Sequence, residues 1–364
     1  MRLSRTTLVA RCVQSPCARV KTVAITIPSL HRPDLTARCI ESIQRQTVPT
    51  ELWKIVVIEN EARPDSILPD PLPRNTIRIE LPTNEGTTNS INRGMAAVPS
   101  PYVLLLNNDV ELAPDCLERL LAVLEADETL GFAAGKLLRA DEPTRLDGAG
   151  DAMLMAGTSY RLGHFDPDLG QYDQPMPLLS GCGAAVLYRS KAFLLCGALD
   201  ADFFAYLDDL DLALRAHLIG YRGVYVPDAV AWHIGSATLG EGPNSRWVEF
   251  MTRNQIFLIT KDYPRAVFKT LLPRILACQA MWLLYVLRKG VLGGYLRGLR
   301  AGFRGRGRMM AKHVQLMTQR RIDDNEFLEL LRMSERQVYD WHQSQAPHGR
   351  SGMLKMYFRL FGSP

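Results

Sequence analysis

Between residues 20 and 126, four β-rich runs alternate with segments of helical spacing. That alternation restricts the chain to a sheet covered by helices. Val20–Pro28 (VKTVAITIP), Leu52–Ile58 (LWKIVVI), Thr76–Leu81 and Tyr102–Leu106 (YVLLL) predict strands. Pro33–Gln46 predicts a helix, with Leu35, Cys39, Ile40 and Ile43 on one face. Asn89–Ala97 and Pro114–Ala126 predict two more, the last with proline at its favoured first position. Apolar strands joined through helices imply a mostly parallel sheet buried on both faces. Ligands bind such sheets outside the carboxyl ends of the strands, which singles out Pro28–Arg32, Glu59-Asn60 and Asn107–Asp109.

The second half changes character. Gly131–Leu138, Leu178–Tyr188 and Arg222–Val226 read as strands, Asp208–Ile219 and Trp247–Thr260 as helices, and Asp141–Pro177 as loop with small hairpins. From Ala266 onward the chain reads as helical, basic and apolar. With 47% hydrophobic residues among 364, there is material for one large domain with an appendage, or for two domains. Seven cysteines, none in a CxxC pair and most in apolar stretches, suit reduced thiols of a cytoplasmic protein and not a disulfide frame or a zinc site. Residues 1–20 are basic, lack an apolar h-region and read as a tail, so no signal peptide is assigned.

Charge is unevenly placed. Residues 261–312 carry twelve basic side chains against the single acid Asp262, so with a whole-chain charge of +5 the remainder is net acidic. A local field of that kind attracts anionic lipid or phosphate. Within it, Ile275–Leu287 (ILACQAMWLLYVL) is thirteen residues long, short of the roughly 20 a membrane span needs. Flanking Arg274, Arg288 and Lys289, with Trp282 and Tyr285 inside, suit a helix lying in the membrane interface. The alternative is an ordinary buried helix packed on the rest of the chain.

Three clusters carry chemistry. Asn107-Asn108-Asp109 ends a strand, where Asp109 is placed to bind a hard divalent cation that grips a diphosphate, though the same triplet is good turn chemistry. Asp208-Asp209 opens a helix after the aromatic run Phe203–Tyr206. Acids there suit the helix dipole, and crowded carboxylates beside an apolar wall also make a general base. His233, read as lying in a loop beyond the strand and the Pro227-Asp228 turn, is either a structural histidine or a metal ligand. Asn84–Gly94 (NEGTTNSINRG) opens a helix that favours phosphate, with neither dinucleotide-fold nor P-loop spacing.

In order, ITIPSLHRPD, IVVIEN, NEGTTNSINRGM, YVLLLNNDVEL, GAAVLYR, DFFAYLDDLDLALRAHLIGYRGVYVPDAVAWH and a later RN resemble family 2 glycosyltransferases, in the bacterial rhamnosyltransferase and galactofuranosyltransferase branch. The resemblance covers residues 21–260 and implies an α/β fold of GT-A type: a mostly parallel nucleotide-binding sheet flanked by helices, with a helical C-terminal extension. It implies residues 1–20 as a tail, 21–262 as the transferase domain and 263–364 as a basic amphipathic region. It further implies an inverting transfer of sugar from a nucleotide-sugar, dTDP-rhamnose first and a UDP-sugar second, to a lipid-linked or polysaccharide acceptor. Under it Asp109, His233 and Asn107 hold Mg²⁺ or Mn²⁺, with Asn107 where the family motif has its first Asp. Pro28, Glu59, Asn60, Asn84, Gly86, Asn92, Asn108 and Asp109 contact the donor. Asp209 is the base, with Asp208 beside it, and Gly183, Ala184 and Arg253 contact acceptor or diphosphate. The expected site of action is the cytoplasmic face of the plasma membrane, on an anionic surface, with no nucleic-acid partner. Two other readings are a non-catalytic nucleotide-sugar or glycan-binding module of the same fold and a nucleotidyltransferase. The second lacks its Gly-rich phosphate loop, since Ile27–Asp34 contains no glycine.

Overall fold

A computed structural model describes residues 22–235, 244–344 and 352–364. The tail expected at 1–20 lies outside the described residues. The strands are β1 Val23–Ser29, β2 Trp53–Glu59, β3 Thr76–Glu80, β4 Tyr102–Leu106, β5 Val110–Leu112, β6 Leu130–Arg139, β7 Leu146–Gly148, β8 Asp151–Met153, β9 Ser159–Arg161, β10 Met176–Leu178, β11 Ala185–Arg189 and β12 Arg222–His233. The α-helices are α1 Pro33–Gln44, α2 Gly86–Ala97, α3 Cys116–Ala126, α4 Ser190–Leu195, α5 Asp208–Leu218, α6 Ser245–Asp262, α7 Arg265–Arg288, α8 Leu292–Gln319, α9 Asp324–Ser344 and α10 Gly352–Phe361.

One large sheet runs in the order β10-β12-β6-β11-β4-β1-β2-β3, with β5 on β12 and β7 on β6. The half built from β4, β1, β2 and β3 is parallel, as the alternating helices demand. The other half is mixed: β11 runs antiparallel to both β4 and β6, while β12 returns parallel to β6. Helices α1 and α3 cover one face, where Leu117 of α3 joins Ile25, Ile55 and Leu104 of the sheet in one apolar cluster. The opposite face is covered by α5 and by the C-terminal helices, whose Phe327, Leu331, Val338 and Tyr357 join Met153, Phe257 and Tyr225 in the largest apolar cluster.

Three sequence expectations are corrected. Leu178–Tyr188 is two strands, β10 and β11, separated by a buried turn at 179–184. Gly181 allows that turn, because a Cβ there would stand 2.7 Å from the Ala134 methyl carbon. Strand β12 does not end at Val226. It bulges between Val226 and Val230 and resumes pairing with β6 as far as His233. The bulge sits over Gly135, where a Cβ would lie 1.8 Å from the Ala229 carbonyl oxygen, and it leaves Pro227 without a ladder bond to lose. The thirteen-residue apolar run belongs to a 24-residue helix, α7, with Pro273 inside it.

Helix α7 is therefore the one helix among the described residues long and apolar enough to cross a membrane by length and composition. One of its faces is bound to the rest of the chain. Arg274 pairs with the buried Glu335 at 2.6 Å, Gln279 donates to Gln255 and Trp282 Nε1 donates to Thr252 Oγ1. The following helix, α8, packs against α6 through Gly294, Gly298, Gly302 and Gly305. At Gly294 and Gly298 an added Cβ would stand 2.1 and 2.7 Å from the carbonyl oxygens of Ser245 and Glu249, so the two backbones nearly touch. The C-terminal helices are thus one packed body with the sheet.

Candidate active site

Strand register brings the first cluster together. His233 pairs with Val110 across β12 and β5, one residue beyond Asp109, and the Ile234 N–H donates to the Asp109 carbonyl at 3.1 Å. The two side chains consequently meet, with His233 Nε2 3.4 Å from Asp109 Oδ1, both buried. A third residue, missed in the sequence, completes the arrangement. Asp147 on β7 accepts from His233 Nδ1 at 2.8 Å and from Arg161 Nη1 at 2.9 Å. Burial alone would lower the imidazole pKa, but its bonds to Asp109 and Asp147 outweigh that and carry it to about 9. Burial would likewise raise Asp147, yet His233 and Arg161 hold it well below the carboxylate range.

The donor set suits a hard divalent cation. A carboxylate and an imidazole are oxygen and nitrogen ligands within reach of one ion, and the second ring nitrogen is fixed by a carboxylate, as metal-bound histidines usually are. No group of three or more His, Cys, Asp or Glu ligands occurs among the described residues. Asp109 and His233 are the pair of side chains here that could hold such an ion. Asn107 sits in the same turn; its N–H donates to the Ala184 carbonyl at 2.8 Å and its carbonyl accepts from Cys39.

Asp208 and Asp209 form the first turn of α5. Asp209 Oδ2 accepts from the Gly183 N–H at 3.1 Å and Oδ1 from the Leu210 N–H at 2.8 Å. A Cβ at Gly183 would approach Asp209 Oδ2 to 3.0 Å, so a larger residue would crowd this carboxylate. The Gly183-Ala184 turn thus bonds Asp209 on one side and Asn107 on the other, so the two clusters share one support. Burial raises both carboxyls, Asp209 to about 6 with Asp151 adding to it, and Asp208 to about 8 with Asp209 adding to it. Of the two, Asp208 holds its proton the more tightly. Arg161 also bonds Asp151 at 3.2 Å and lies in the field of Asp209, joining the two clusters electrostatically.

The approach to α5 is strained. Phe204, Tyr206 and Leu207 have φ of 67°, 69° and 58°, a conformation that costs a non-glycine residue about 1–2 kcal/mol. Phe204 stacks on Phe250 at 5.6 Å. Its carbonyl oxygen lies where a Cβ on Gly86 would be 2.5 Å away, which fixes glycine at the start of α2. The carboxylate pair and helix α2 are therefore linked through this loop.

Pro28, Glu59 and Asn60 lie at the carboxyl ends of β1 and β2. Glu59 is fully buried. Its Oε1 accepts from the Leu68 N–H at 3.1 Å, its Oε2 has no hydrogen-bond partner among the described residues, and burial raises its pKa. Asn60 bonds Ser90 Oγ and the Glu85 N–H, and Asn84 accepts from the Gly86 N–H at 2.9 Å. Asn108 donates to Thr36. Asn92 is placed otherwise. Its amide donates to the Leu199 carbonyl at 2.8 Å and accepts from the Leu199 N–H at 3.1 Å, so both ends hold a backbone 107 residues away. Arg253 donates to Asn254 and to the Phe203 carbonyl and stacks over Phe250 and Phe257. Asp147, Asp151 and Arg161 left no signal in the sequence, because they lie in a loop-rich stretch whose pairing has no period.

Residues 20–250 match the model of the glycosyltransferase like family 2. N-acetylglucosaminyl-diphospho-decaprenol L-rhamnosyltransferase of Mycobacterium tuberculosis is 28% identical over 174 residues, 43% of this chain and 54% of that protein. Galactofuranosyltransferase GlfT2 of the same organism is 24% identical over 259 residues, 60% of this chain and 38% of that one. The chain thus spans about half, or less, of the length of these relatives. The crystal structure of GalNAc-T7 with UDP, GalNAc and Mn²⁺ superposes with a TM-score of 0.56 at 13% identity, over 72% of this chain and 52% of that one. At that identity the likeness concerns the fold alone.

Proposed function

We propose, from the premise that this chain belongs to glycosyltransferase family 2, that it catalyses an inverting sugar transfer from a nucleotide-sugar, with Asp209 as general base. The observation that carries this is the convergence of residues distant in sequence: Asp109 meets His233 at 3.4 Å, and Asp209 rests on the turn that also bonds Asn107.

Asp109 and His233, oriented by Asp147, would hold Mg²⁺ or Mn²⁺, with Asn107 alongside. When bound, such a cation neutralises charge on the diphosphate leaving group. The N-terminus of α2, opened by Asn84 and Gly86, favours the donor phosphates. The bare Glu59 Oε2 supports a contact to a ring N–H of the nucleoside, with Pro28, Asn60 and Asn108 at the same strand ends. Asp209 takes the proton from an acceptor hydroxyl as that oxygen bonds the anomeric carbon. The bond from that carbon to the diphosphate oxygen breaks on the opposite face, and the configuration inverts. The raised pKa of Asp209 suits proton transfer near neutral pH. Gly183 and Ala184 form the turn beneath it, which supports a contact of this turn with acceptor or diphosphate.

The rhamnosyltransferase relative supports dTDP-rhamnose as the first donor to test and a lipid-linked or polysaccharide acceptor. A peripheral position on the inner face of the plasma membrane is supported by the outer face of α7 and α8. Leu276, Leu284, Leu287, Leu296 and Phe303 are exposed there among Arg288, Lys289, Arg300 and Arg304.

Calorimetry with dTDP, UDP and GDP, with and without Mn²⁺, followed by transfer assays on lipid-linked acceptors, tests the reading. Metal-enhanced binding of one nucleotide with turnover of its sugar supports it. Binding without turnover on any acceptor favours the non-catalytic module instead.

A further inference from the structure

The strained loop that presents the carboxylate pair is held from behind by one amide. Asn254, on α6 and fully buried, donates from Nδ2 to three carbonyls of that loop: Phe203 at 3.2 Å, Ala205 at 2.8 Å and Tyr206 at 2.7 Å. Arg253 Nε donates to Asn254 Oδ1 at 2.8 Å, which orients the amide with its N–H groups toward the loop. Arg253 Nη2 adds a bond to the Phe203 carbonyl at 2.5 Å. The guanidinium is stacked 4.9 Å from the Phe250 ring and 5.5 Å from that of Phe257, so its direction is fixed.

Left-handed backbone at Phe204, Tyr206 and Leu207 persists only where surroundings over-determine it. Asn254 supplies that determination. Leu207 is the residue before α5, so relaxation of the loop would move the first turn of the helix and draw Asp209 off the Gly183 N–H. The same loop bears on α2, because the Phe204 carbonyl accepts from the Thr88 N–H and abuts Gly86. The clamp therefore sets two things at once: where the carboxylates stand, and how far they stand from the donor side.

We propose that Asn254, oriented by Arg253, is a positioning residue that fixes the Asp208-Asp209 pair relative to the donor-binding helix α2. The proposal rests on Asp209 being the base. It gives Arg253 a role in aiming the site, in place of direct contact with acceptor or diphosphate.

Asn254→Leu keeps the volume and removes the donors; Arg253→Lys keeps the charge and removes the fork. Both are compared in the full chain with wild type for nucleoside diphosphate binding in Mn²⁺, for kcat, and for the pH profile of kcat. The expected result is a nucleotide Kd within about threefold of wild type and a kcat lowered about 10–100-fold, the usual loss for misplacement of about 1 Å. The acidic limb of kcat should also move to lower pH, because a loosened pair is better hydrated. A lesion of general folding would not move that limb. Wild-type kcat and an unmoved limb, in whichever variant binds nucleotide normally, overturn the proposal. So does loss of nucleotide binding in both variants, which would make the clamp a general structural element. Asp209→Asn measured alongside separates the two readings: if it retains turnover, the base assignment fails and takes the positioning role with it.

Discussion

The His233 imidazole and the Asp147 carboxylate, 86 residues apart in the chain, are joined by a 2.8 Å hydrogen bond at Nδ1. That bond leaves Nε2 facing Asp109. It selects which nitrogen is offered to a cation and how the ring is turned. Asp147→Asn should therefore lower Mn²⁺ affinity about 10–100-fold, while binding of metal-free nucleotide changes little. Manganese titration followed by calorimetry, in the presence of nucleoside diphosphate, measures both.

Asp209→Asn keeps the shape of the side chain and its acceptor for the Gly183 N–H but cannot take a proton. Transfer should fall about 10²–10⁴-fold, with nucleotide affinity near that of wild type. As the proposed base, Asp209 would act only in its ionised form. Since burial lifts this carboxyl to about 6, kcat should fall as pH drops through about 6 and not near the ordinary carboxylate value. A stopped transfer assay across pH 5–8 reads both effects.

Asp208 carries the opposite signature in stability. Its folded pKa of about 8 lies above that of the unfolded chain, about 3.9, so the folded state holds the proton more tightly. The associated stability is full below about pH 4 and is lost as pH rises toward 8. Asp208→Asn escapes that loss. Its melting temperature should exceed wild type by a few degrees at pH 8, and the gap should close toward pH 4, as thermal melts at the two pH values would show.

The contact between α6 and α8 predicts position-dependent glycine substitutions. Gly298→Val drives a Cβ toward Glu249 O at 2.7 Å and Thr252 Cβ at 2.8 Å, and should destabilise the fold by about 1–3 kcal/mol. Gly307→Ala meets nothing within 4 Å and should be neutral or slightly stabilising, as alanine is the better helix former. Denaturant melts of the pair test this.

The outer face of α7 and α8 predicts a separable membrane effect. Leu276, Leu284 and Phe303 are exposed, so changing all three to Ser should leave the melting temperature near wild type. Flotation with anionic vesicles should be lost, and unchanged flotation would refute the peripheral assignment. A chain cut after residue 264 is the wrong probe, because it removes Phe327, Leu331 and Tyr357 from the main core and should aggregate.

Sequence patterns marked most of the sheet, since β1, β2 and β4 are mostly apolar runs and their polar ends fall where the candidate site lies. Asp109, His233 and Asp209 were legible because each stands in a string with family character. What was hidden depends on pairing across distance. Pro227 reads as a stop in sequence, yet Gly135 on the neighbouring strand lets β12 bulge past it and carry His233 into the sheet. Asp147 and Arg161 sit in a stretch with no period to mark them. Arg274 and Pro273 look like the edge of an apolar segment, although α7 runs through both, with Arg274 neutralised by Glu335 from a helix sixty residues on. Asn254 stood in the sequence only as the second letter of the RN pair; the three carbonyls above it give it a task.

The family match stops at residue 250, six residues into α6. An expression fragment trimmed to that boundary would retain Asp109, His233 and Asp209, yet forfeit Asn254, the glycine-packed partner of α6, and Lys261, whose ammonium neutralises Asp200 at 2.8 Å beneath the carboxylate loop. The family match covers the stretch that holds Asp109, His233 and Asp209, whereas the scaffold packed behind them extends beyond residue 250.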